Sequence, residues 1–338
     1  MRAIGQAIYG GPEVLQVFID VPEPEPGPRD LVVRVHATAT NPVDTKVRRG
    51  GAAGSPVPAP PLILGWDASG VVAATGSDVE HFRVGDEVYF AGDVARPGSY
   101  AEYVAVDERI VAHRPRTLSH LDAAAIPLTA LTAWEALVEN MGVIPTDRSS
   151  EAARTLLVVG GAGGVGSMAI QIARQVCGLR VIATASRPES AAWCTRLGAD
   201  AVIDHTKSLL DQLRQLGDGG VDLVLNTVQP TQNLPQVLEV VRPFGHVCGI
   251  VAPSGPLDLG PLFRKRGHLS FEYMFTRPLF DAAPSRQGAI LARVADLLDR
   301  GVLLATRTTT MPWDQVQAAH RLLESGRSVG KTVLEVVP

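Results

Sequence analysis

The chain has little cysteine, few aromatic residues and no long apolar run, and each shortage excludes a class of protein. Its three cysteines, Cys177, Cys194 and Cys248, are far apart and form no CxxC pair, which argues against a disulfide framework and predicts a reducing, cytoplasmic setting. The N-terminal stretch is too short and too polar for a signal peptide. No apolar run approaches the roughly 20 residues of a membrane span. The net charge of −4 gives no reason to expect nucleic acid or an anionic membrane as a partner.

Turn-forming residues, in contrast, are abundant, with 33 glycines and 25 prolines among 338 residues. This length suits about two domains. Up to about residue 125, short alternating stretches such as Leu31–Ala37 are separated by turns, which predicts a barrel-like β domain. From Thr155 onward, apolar strands alternate with helical stretches. This order predicts a parallel, doubly wound sheet, so the predicted fold class is α/β.

A glycine-rich turn is the strongest motif in the second half. It satisfies the pattern G-x-G-x-x-G, follows the apolar strand Leu156–Val159 and opens a helix. Glycines let the backbone turn tightly and approach a pyrophosphate, while the helix N-terminus presents N–H groups to the phosphates. In this context the motif predicts a dinucleotide-binding site. The predicted cofactor-binding residues of the turn are Gly161, Ala162, Gly163, Gly164, Val165 and Gly166.

The end of the next strand indicates which nicotinamide cofactor binds. An NAD site places an acid there, about 20 residues beyond the glycines, to bind the ribose hydroxyls. Here the strand that starts at Arg180 ends in Ser186 and Arg187. A hydroxyl and a guanidinium suit a 2′-phosphate, because arginine binds phosphate through two hydrogen bonds, so we predict NADPH. The alternative is that Arg187 is a solvated turn residue and that Glu189 binds the ribose.

Six stretches, in order, carry a family resemblance that spans nearly the whole chain. They are Asn41–Asp44, Leu64–Val72, Val84–Val88, Ala123–Leu137, Gly160–Gly166 and Gly330–Leu334. Together they resemble the medium-chain dehydrogenase/reductase superfamily, and within it the zinc-free quinone oxidoreductase branch that includes zeta-crystallin. Inside that branch the chain is similar to the proteins called zinc-type alcohol dehydrogenase-like.

The resemblance implies a division into two domains. A GroES-like catalytic β-barrel domain is expected over residues 1–125 and 305–338, and a Rossmann NADP-binding domain over residues 126–304. The active site is then expected in the cleft between them. The last strand, read as Thr332–Val337, is expected to return to the first domain. Family members commonly pair through the edge strands of two Rossmann sheets, which here implies a homodimer through Leu269–Tyr273.

The zinc-ligand positions of metal-dependent relatives are occupied differently here. A catalytic zinc site needs three protein ligands and an open fourth position. The resemblance aligns these ligand positions with Asn41, Trp66 and the stretch Pro127–Leu128, none of which is a good zinc ligand. Residues 80–105 contain no cysteine that could form a structural zinc loop. The prediction is therefore that the protein binds no metal.

Without a metal, the resemblance implies reduction of a quinone or an α,β-unsaturated carbonyl. Hydride transfer is the work of the cofactor. The delocalised phenolate or enolate that results can be held by hydrogen bonds. By their positions, Asn41, Lys46 and Thr129 are the predicted catalytic residues. Lys46 stands where zeta-crystallin-like members often have tyrosine, and a desolvated lysine can donate a proton instead.

Two of these residues have simpler alternative roles. Asn41 could cap the turn before Pro42, a common use of asparagine. Lys46 could be a solvated residue at a strand end, or could form an ion pair with Asp44 or Asp67.

Other residues are predicted to line the site. Trp66, Met274 and Phe275 are predicted to form an apolar substrate pocket. The alternatives are core packing for Trp66 and dimer packing for the other two. Because ligands of this fold bind beyond the carboxyl ends of strands, Asn226, Thr227, Gly249, Ile250 and Val251 are predicted to lie near the cofactor. Lys331, after Gly330, is predicted to reach the cofactor or the substrate, with a surface role as the alternative.

Three functions are consistent with these residues. The leading hypothesis is an NADPH-dependent, zinc-independent reductase that acts on a small-molecule quinone or enone. The second is an alcohol or aldehyde oxidoreductase that polarises its substrate through Lys46 and Thr129. The third is a protein that binds NADPH without turnover. The substrate itself depends on loops such as Gly50–Pro61, whose conformation the sequence does not determine.

Overall fold

A computed structural model describes residues 1–59, 61–145 and 154–336 of the chain. The chain divides into two compact units. The first, here called the β unit, comprises Met1–Leu128, Phe275–Gly301 and Ala305–Pro338. The second, here called the parallel-sheet unit, comprises Thr129–Met274 and Val302–Leu304.

The secondary structure of the described residues is mixed. The strands, in chain order, are β1 (Ala3–Gln6), β2 (Gln16–Phe18), β3 (Asp30–Ala39), β4 (Leu62–Ile63), β5 (Ala68–Thr75), β6 (Glu87–Phe90), β7 (Tyr103–Asp107), β8 (Val111–His113), β9 (Thr155–Val159), β10 (Arg180–Thr184), β11 (Ala201–Ile203), β12 (Val221–Asn226), β13 (Val241–Gly249), β14 (His268–Phe271), β15 (Arg307–Pro312) and β16 (Lys331–Glu335). The α-helices are α1 (Pro42–Arg48), α2 (His120–Ala123), α3 (Pro127–Trp134), α4 (Gly164–Gln171), α5 (Pro188–Arg196), α6 (Leu209–Gln215), α7 (Pro230–Val240), α8 (Gly260–Arg264), α9 (Thr276–Leu279), α10 (Ser285–Asp299) and α11 (Val316–Glu324). Two segments with π-helical geometry, Glu135–Asn140 and Ile172–Val176, extend α3 and α4.

The β unit is built around the long strand β3. Its larger sheet has the strand order β15-β16-β3-β5-β6-β8, and β7 also pairs with β3. Strand β16 pairs antiparallel with β3, with Val333 opposite Ala39, so this last strand of the described chain belongs to the same sheet as β3. Val337, the predicted end of that strand, lies outside the described residues. A smaller sheet has the order β2-β1-β4.

The parallel-sheet unit has the predicted doubly wound form. Its strand order is β11-β10-β9-β12-β13-β14, and each of these neighbouring strands pairs in parallel. Strand β9 is buried at every position, as expected for a central parallel strand covered on both faces. The order reverses between β9 and β12, and ligands of such sheets bind beyond the carboxyl ends of the strands at this point. The α/β fold class predicted from the sequence is confirmed.

The first unit contains more of the chain than the sequence indicated. Helix α10 lies within the stretch predicted as Rossmann domain, but it packs in the β unit. The Tyr89 hydroxyl donates a hydrogen bond of 2.6 Å to the Leu291 carbonyl in α10. Gly288 lies so close to the Arg109 carbonyl that a Cβ would come within 2.7 Å of it. The helical periodicity of α10 revealed its apolar face, but periodicity does not say which domain covers that face.

The stretch His120–Asn140 is long and apolar enough to cross a membrane by length and composition alone. The absence of such a stretch was a sequence expectation, and on this criterion it is wrong. Most of the stretch is buried inside the protein. Ala123, Ala130 and Leu131, for example, have no exposed surface, which is the behaviour of a core helix in a globular protein.

Candidate functional site

The glycine turn of the parallel-sheet unit connects β9 to α4. Gly160 has φ +79°, a left-handed conformation that favours glycine. A Cβ on Gly161 would lie 2.8 Å from the Ala183 side chain, and one on Gly166 would lie 2.4 Å from the Gly160 carbonyl oxygen. These two glycines are therefore required by the packing of the helix against the sheet.

Gly163 is different because the protein itself does not require it to be glycine. It caps the N-terminus of α4 with ordinary extended angles, φ −72° and ψ 173°. A Cβ there would meet only the Gly160 carbonyl oxygen, at 3.5 Å, which is an ordinary contact. The first N–H groups of an α-helix have no partner within the helix. The open space at Gly163 and the N–H groups of the next turn fit a pyrophosphate.

The predicted determinants of cofactor choice follow β10. Ala185 is buried, Ser186 is exposed, and Arg187 is half-buried at the N-cap of α5. Glu189 is exposed in the first turn of the same helix. An acid and a guanidinium therefore lie on one short stretch, and both the predicted role of Arg187 and the alternative role of Glu189 remain proposals.

The ends of β12 and β13 lie at the same edge of the sheet as the glycine turn, because all these strands are parallel. Asn226 is buried and exchanges two side-chain hydrogen bonds with Asn233, at 3.1 and 2.9 Å. The Thr227 hydroxyl donates to the Val159 carbonyl at 2.7 Å and joins the two strand ends. Gly249 is buried, while Ile250 and Val251 are half-buried.

A buried ion pair forms the centre of a second candidate site, in the β unit. The Lys331 ammonium lies 2.9 Å from Asp67 Oδ2, and both side chains are almost completely buried. Lys331 also donates to Asn41 Oδ1 at 2.5 Å and to the Thr40 carbonyl at 2.9 Å. The Asn41 amide nitrogen donates to Asp67 Oδ2 at 3.0 Å and to the Ala39 carbonyl at 3.3 Å. The polar atoms of the Asn41 side chain are thus all engaged within the protein.

A second group of buried polar residues is hydrogen-bonded to the backbone N–H of Asn41. Asp44 Oδ2 accepts hydrogen bonds from the Asn41 N–H at 2.8 Å and from the Tyr100 hydroxyl at 2.7 Å. The Tyr100 hydroxyl lies 3.2 Å from His320 Nε2, and Arg48 Nη1 lies 2.7 Å from His320 Nδ1. Arg48 is completely buried and forms an ion pair with Glu324.

Gly65 leaves the space that the Tyr100 ring occupies. It has φ +92°, and a Cβ on it would lie 2.3 Å from the Tyr100 ring. The glycine of the Gly65-Trp66-Asp67 stretch therefore serves both a left-handed turn and the close approach of Tyr100. Asp67 follows directly and is held by the Leu128 N–H, which donates to its Oδ1 at 3.0 Å.

Burial dominates the electrostatics of these acids. It raises the pKa of Asp44 to about 7, although hydrogen bonds from Asn41 and Tyr100 and the charge of Lys331 oppose the rise. Burial also raises the pKa of Asp67, against the same opposing charge. Burial, together with the nearby charge of Arg48, lowers the pKa of His320 to about 3, so this ring is neutral at physiological pH.

The remaining predicted site residues lie in different surroundings. Lys46 is exposed on helix α1, rather than at a strand end, and has no ion pair within the described part of the chain. Thr129 is buried in α3. Trp66 and Phe275 are buried and meet edge to face, with ring centroids 6.3 Å apart, and Met274 is buried as well.

Trp66 also lines a cavity of about 70 Å³ in the β unit, together with Phe90, Arg96, Val104 and Pro278 among others. Pockets for small molecules usually measure about 300–1,000 Å³, so this cavity is too small for a quinone ring system. Lys331 is buried in the β unit and packs against Asn41, so the alternative of a surface role is wrong, while its predicted contact with the cofactor or substrate stays a prediction.

Sequence reasoning missed most of the buried polar residues in this region. Asp44 and Asp67 occurred only as possible partners of Lys46, and Arg48, Tyr100 and His320 were not considered. A signal was available for Asp44, because an acid three residues after an N-cap residue is typical of a capping box, and the structure shows the half of it in which Asp44 accepts from the Asn41 N–H. No local pattern joins His320 to this region, since it lies 220 residues beyond Tyr100.

A different group of acids is buried in the parallel-sheet unit. Glu272, directly after β14, accepts a hydrogen bond of 2.7 Å from the Asn140 amide, and its carboxyl group also bonds to that of Glu135. Burial and the neighbouring Glu135 raise the pKa of Glu272 to about 9, so it keeps its proton at neutral pH. Both partners come from the π-helical segment Glu135–Asn140.

Comparison with known protein families identifies both parts of the chain. Residues 27–116 match the alcohol dehydrogenase GroES-like domain, and residues 197–334 match the zinc-binding dehydrogenase family. The chain is 36% identical over 317 residues to a zinc-type alcohol dehydrogenase-like protein from Staphylococcus epidermidis, covering 93% of this chain and 92% of the relative. It is 33% identical to 2-methylene-furan-3-one reductase from Solanum lycopersicum, covering all of this chain and 80% of the relative.

Solved structures show the same fold. An NAD-dependent alcohol dehydrogenase is 34% identical, with a TM-score of 0.85 and all of both chains covered. The quinone oxidoreductase of Escherichia coli, solved in complex with NADPH, is 25% identical, with a TM-score of 0.85, and the match covers 99% of this chain and 100% of that one.

The zinc in one of these family descriptions does not suit the residues of this chain. The Asn41 side chain, at the position of the first zinc ligand, is already bonded to the Lys331 ammonium and to Asp67. A divalent cation here would have to lie beside a buried positive charge. Within residues 1–59, 61–145 and 154–336, no group of three or more His, Cys, Asp or Glu side chains is arranged to hold a metal ion.

Proposed function

Because the chain belongs to the medium-chain dehydrogenase/reductase superfamily, in its zinc-free quinone oxidoreductase branch, we propose that it is an NADPH-dependent, zinc-independent reductase of quinones or α,β-unsaturated carbonyls. The observation that carries the proposal is the closed cluster of Asn41, Asp67 and Lys331. It leaves no strong Lewis acid to stabilise the localised alkoxide of a simple ketone. Substrates whose reduction gives a delocalised anion need only hydrogen bonds.

The nicotinamide cofactor supplies hydride when it is bound. The glycine turn and the N-terminus of α4 would hold its pyrophosphate, with Asn226, Thr227, Gly249, Ile250 and Val251 at the neighbouring strand ends. Ser186 and Arg187 would hold the 2′-phosphate, because a guanidinium can form two parallel hydrogen bonds with phosphate oxygens. Support also comes from the Escherichia coli relative, whose structure contains NADPH.

On the substrate side, Lys46 and Thr129 are the proposed donors. The donors of Asn41 and Lys331 are already used inside the β unit, so these two side chains orient their surroundings rather than donate to a substrate. Lys46 is exposed, which leaves its ammonium able to donate to a substrate oxygen as negative charge develops there. Trp66, Met274 and Phe275 are proposed to pack behind the side chains that line the substrate pocket.

The test is an acceptor screen that follows NADPH or NADH absorbance with a quinone, an enone and a simple aldehyde. We expect turnover of the quinone or the enone, with NADPH preferred. Turnover of the aldehyde alone would favour the alcohol or aldehyde oxidoreductase. Tight NADPH binding without turnover of any acceptor would favour the non-catalytic alternative.

Two variants test the residues in this assay. Arg187→Gln should weaken NADPH binding about tenfold or more and leave NADH binding nearly unchanged, since only the former carries the 2′-phosphate. Arg196→Gln, at the other end of α5, is the matched control. An NADPH preference that survives Arg187→Gln contradicts the proposed role of Arg187.

Lys46→Ala should lower kcat. Lys207→Ala, which changes another exposed lysine, is its control. Unchanged turnover in Lys46→Ala would exclude Lys46 as a donor to the substrate.

We also propose that the protein is a homodimer through β14. This strand is at the edge of its sheet, so one side of its backbone has no strand partner in the described chain. Phe271, the last residue of β14, and Tyr273 just beyond it are each 49% exposed, which leaves apolar surface beside this unpaired edge. Light scattering should show a dimer for the wild type and a monomer for Phe271→Lys, and a monomeric wild type would exclude the interface.

A further inference from the structure

The hydrogen bonds between Arg48, His320, Tyr100 and Asp44 run in one direction. Arginine has only donors, so His320 Nδ1 must accept from Arg48, and the proton of the neutral ring is then on Nε2. Nε2 therefore donates to the Tyr100 hydroxyl, which in turn donates to Asp44 Oδ2. Each group fixes the orientation of the next. We call these four residues the Asp44 hydrogen-bond network.

The Asp44 hydrogen-bond network ends at the start of helix α1. Asp44 Oδ2 also accepts from the Asn41 N–H, and this bond is half of the capping box that begins the helix. The other carboxyl oxygen, Oδ1, is buried and has no hydrogen-bond partner among the described residues. Asp44 thus depends on Tyr100 and Asn41 for its solvation, and the start of α1 depends on Asp44.

Helix α1 carries two residues of the proposed site. Asn41 is its N-cap and Lys46 is in its last turn. The side chain of Asn41 is fixed separately by Lys331, from strand β16. Two sets of hydrogen bonds from the C-terminal part of the β unit, one from α11 and one from β16, therefore meet at the first turn of this helix.

We propose that Tyr100 and His320 are positioning residues of the reductase site, which act through Asp44 to hold the first turn of α1, and with it Asn41 and Lys46, in the geometry that the substrate meets. This inference rests on the proposed function. Neither residue touches the reacting atoms. Their contribution is to orient the helix before the substrate arrives, because small displacements of a donor cost much of its catalytic effect.

Asp44 gives this arrangement a pH dependence. The groups that face it are the Tyr100 hydroxyl, the Lys331 ammonium and the Asp67 carboxyl. Burial raises the pKa of Asp44 to about 7, so it takes up a proton as the pH falls through neutrality. A carboxylate accepts hydrogen bonds more strongly than a neutral carboxyl group. The hold on the Asn41 N–H therefore weakens below about pH 7, and we expect kcat to fall on the acid side.

The test compares kcat across pH for the wild type, Tyr100→Phe, His320→Gln and His320→Leu, with the best acceptor from the screen. Tyr100→Phe removes a donor to the carboxylate, so it should raise the pKa of Asp44 and move the acid limb of kcat upward by about one pH unit. We expect kcat at pH 7 to fall about tenfold. The KM for NADPH should not change.

The two His320 variants separate positioning from simple packing. Glutamine can still accept from Arg48 and donate to Tyr100, so His320→Gln should keep a pH profile close to that of the wild type. Leucine can do neither, so His320→Leu should move the acid limb as Tyr100→Phe does. Tyr103→Phe, a half-buried tyrosine of the same unit, is the control for the loss of a hydroxyl. Thermal melts at each pH establish that every variant is folded.

Carboxyl ¹³C NMR of the same proteins, with the Asp44 signal assigned through Asp44→Asn, checks the titration without relying on turnover. A wild type that turns over while neither Tyr100→Phe nor His320→Leu moves the acid limb overturns this inference alone. A wild type that turns over no acceptor overturns the proposed function, and the positioning role with it. An Asp44 signal that titrates identically in the wild type and Tyr100→Phe also overturns the inference.

Discussion

The glycine turn and the cluster of Asn41, Asp67 and Lys331 differ in whether their polar groups are already bonded within the protein. The glycine turn is made almost entirely of backbone from one continuous stretch, Gly160–Gly166, and its chemistry comes from helix N–H groups and from the absence of side chains. The cluster is made of charged side chains from remote segments, buried together and fully bonded. The first has open space beside helix N–H groups, which fits its proposed role as a ligand site, whereas the polar groups of the second are bonded to one another.

Buried acids show a parallel contrast between the two units. In the β unit, Asp67 is neutralised by an ammonium 2.9 Å away. In the parallel-sheet unit, Glu272 bonds to another acid, Glu135, and is neutralised by keeping its own proton, with a pKa of about 9. An ion pair is sensitive to the removal of its partner, whereas a protonated acid is sensitive to pH. Three experiments test these contrasts, in order of decreasing effect.

The largest effect is expected from Lys331→Met. It leaves the buried Asp67 carboxylate without its cation, and breaking such a pair typically costs about 3–5 kcal/mol. Urea denaturation should show this loss in the free energy of unfolding of the β unit, while Lys207→Met on the surface should change it little. The double variant Lys331→Met/Asp67→Leu should recover much of the loss, because no unpaired charge remains. A single variant as stable as the wild type would contradict the closed ion pair.

The next effect is expected from Glu272→Gln, and it depends on pH. The folded-state pKa of about 9 lies above the usual value of 4.5, so between these values the folded protein holds a proton that the unfolded chain releases. The stability contributed by this group is full below about pH 4.5 and is lost as the pH rises towards 9. The variant does not titrate, so its stability relative to the wild type should increase by about 1 kcal/mol per pH unit between pH 6 and 8. A constant difference across this range would show that Glu272 is ionised in the folded state.

The smallest effect on stability is expected for Gly163→Ala, which is compared with Gly166→Ala in the same turn. Gly166→Ala places a Cβ 2.4 Å from the Gly160 carbonyl oxygen, and such overpacking costs about 1–3 kcal/mol. Gly163→Ala meets only an ordinary contact at 3.5 Å, so its free energy of unfolding should change by less than about 0.5 kcal/mol. Gly163→Ala should nevertheless weaken NADPH binding about tenfold in a calorimetric titration, because the added methyl group occupies space needed by the pyrophosphate. Unchanged NADPH affinity would mean that the cofactor does not approach Gly163.

The sequence predicted features that depend on neighbouring residues and did not predict contacts between distant segments. The strands and helices of the parallel-sheet unit were predictable because their periodicity and turn residues are local. Helix α10 was predicted from its periodicity, but its packing in the β unit was not, since an apolar face does not identify what covers it. Lys331 is buried and bonded to Asn41, 290 residues earlier in the chain, which the sequence did not indicate. Its position depends on the pairing of β16 with β3, which no local pattern specifies.

The sequence by itself determined the glycine turn, the order of strands and helices around it, and the presence of asparagine and tryptophan at the positions that the resemblance aligns with zinc ligands. These features depend on residues that are neighbours along the chain, so their physics is already present in the local order of residues. Only the tertiary structure decided that Asn41 is bonded to Lys331 and Asp67, that Tyr100 and His320 reach Asp44, and that Lys46 stays exposed. These contacts join residues that are 26 to 290 positions apart in the chain, and the burial that shifts the pKa of Asp44 and His320 exists only once those segments have packed together.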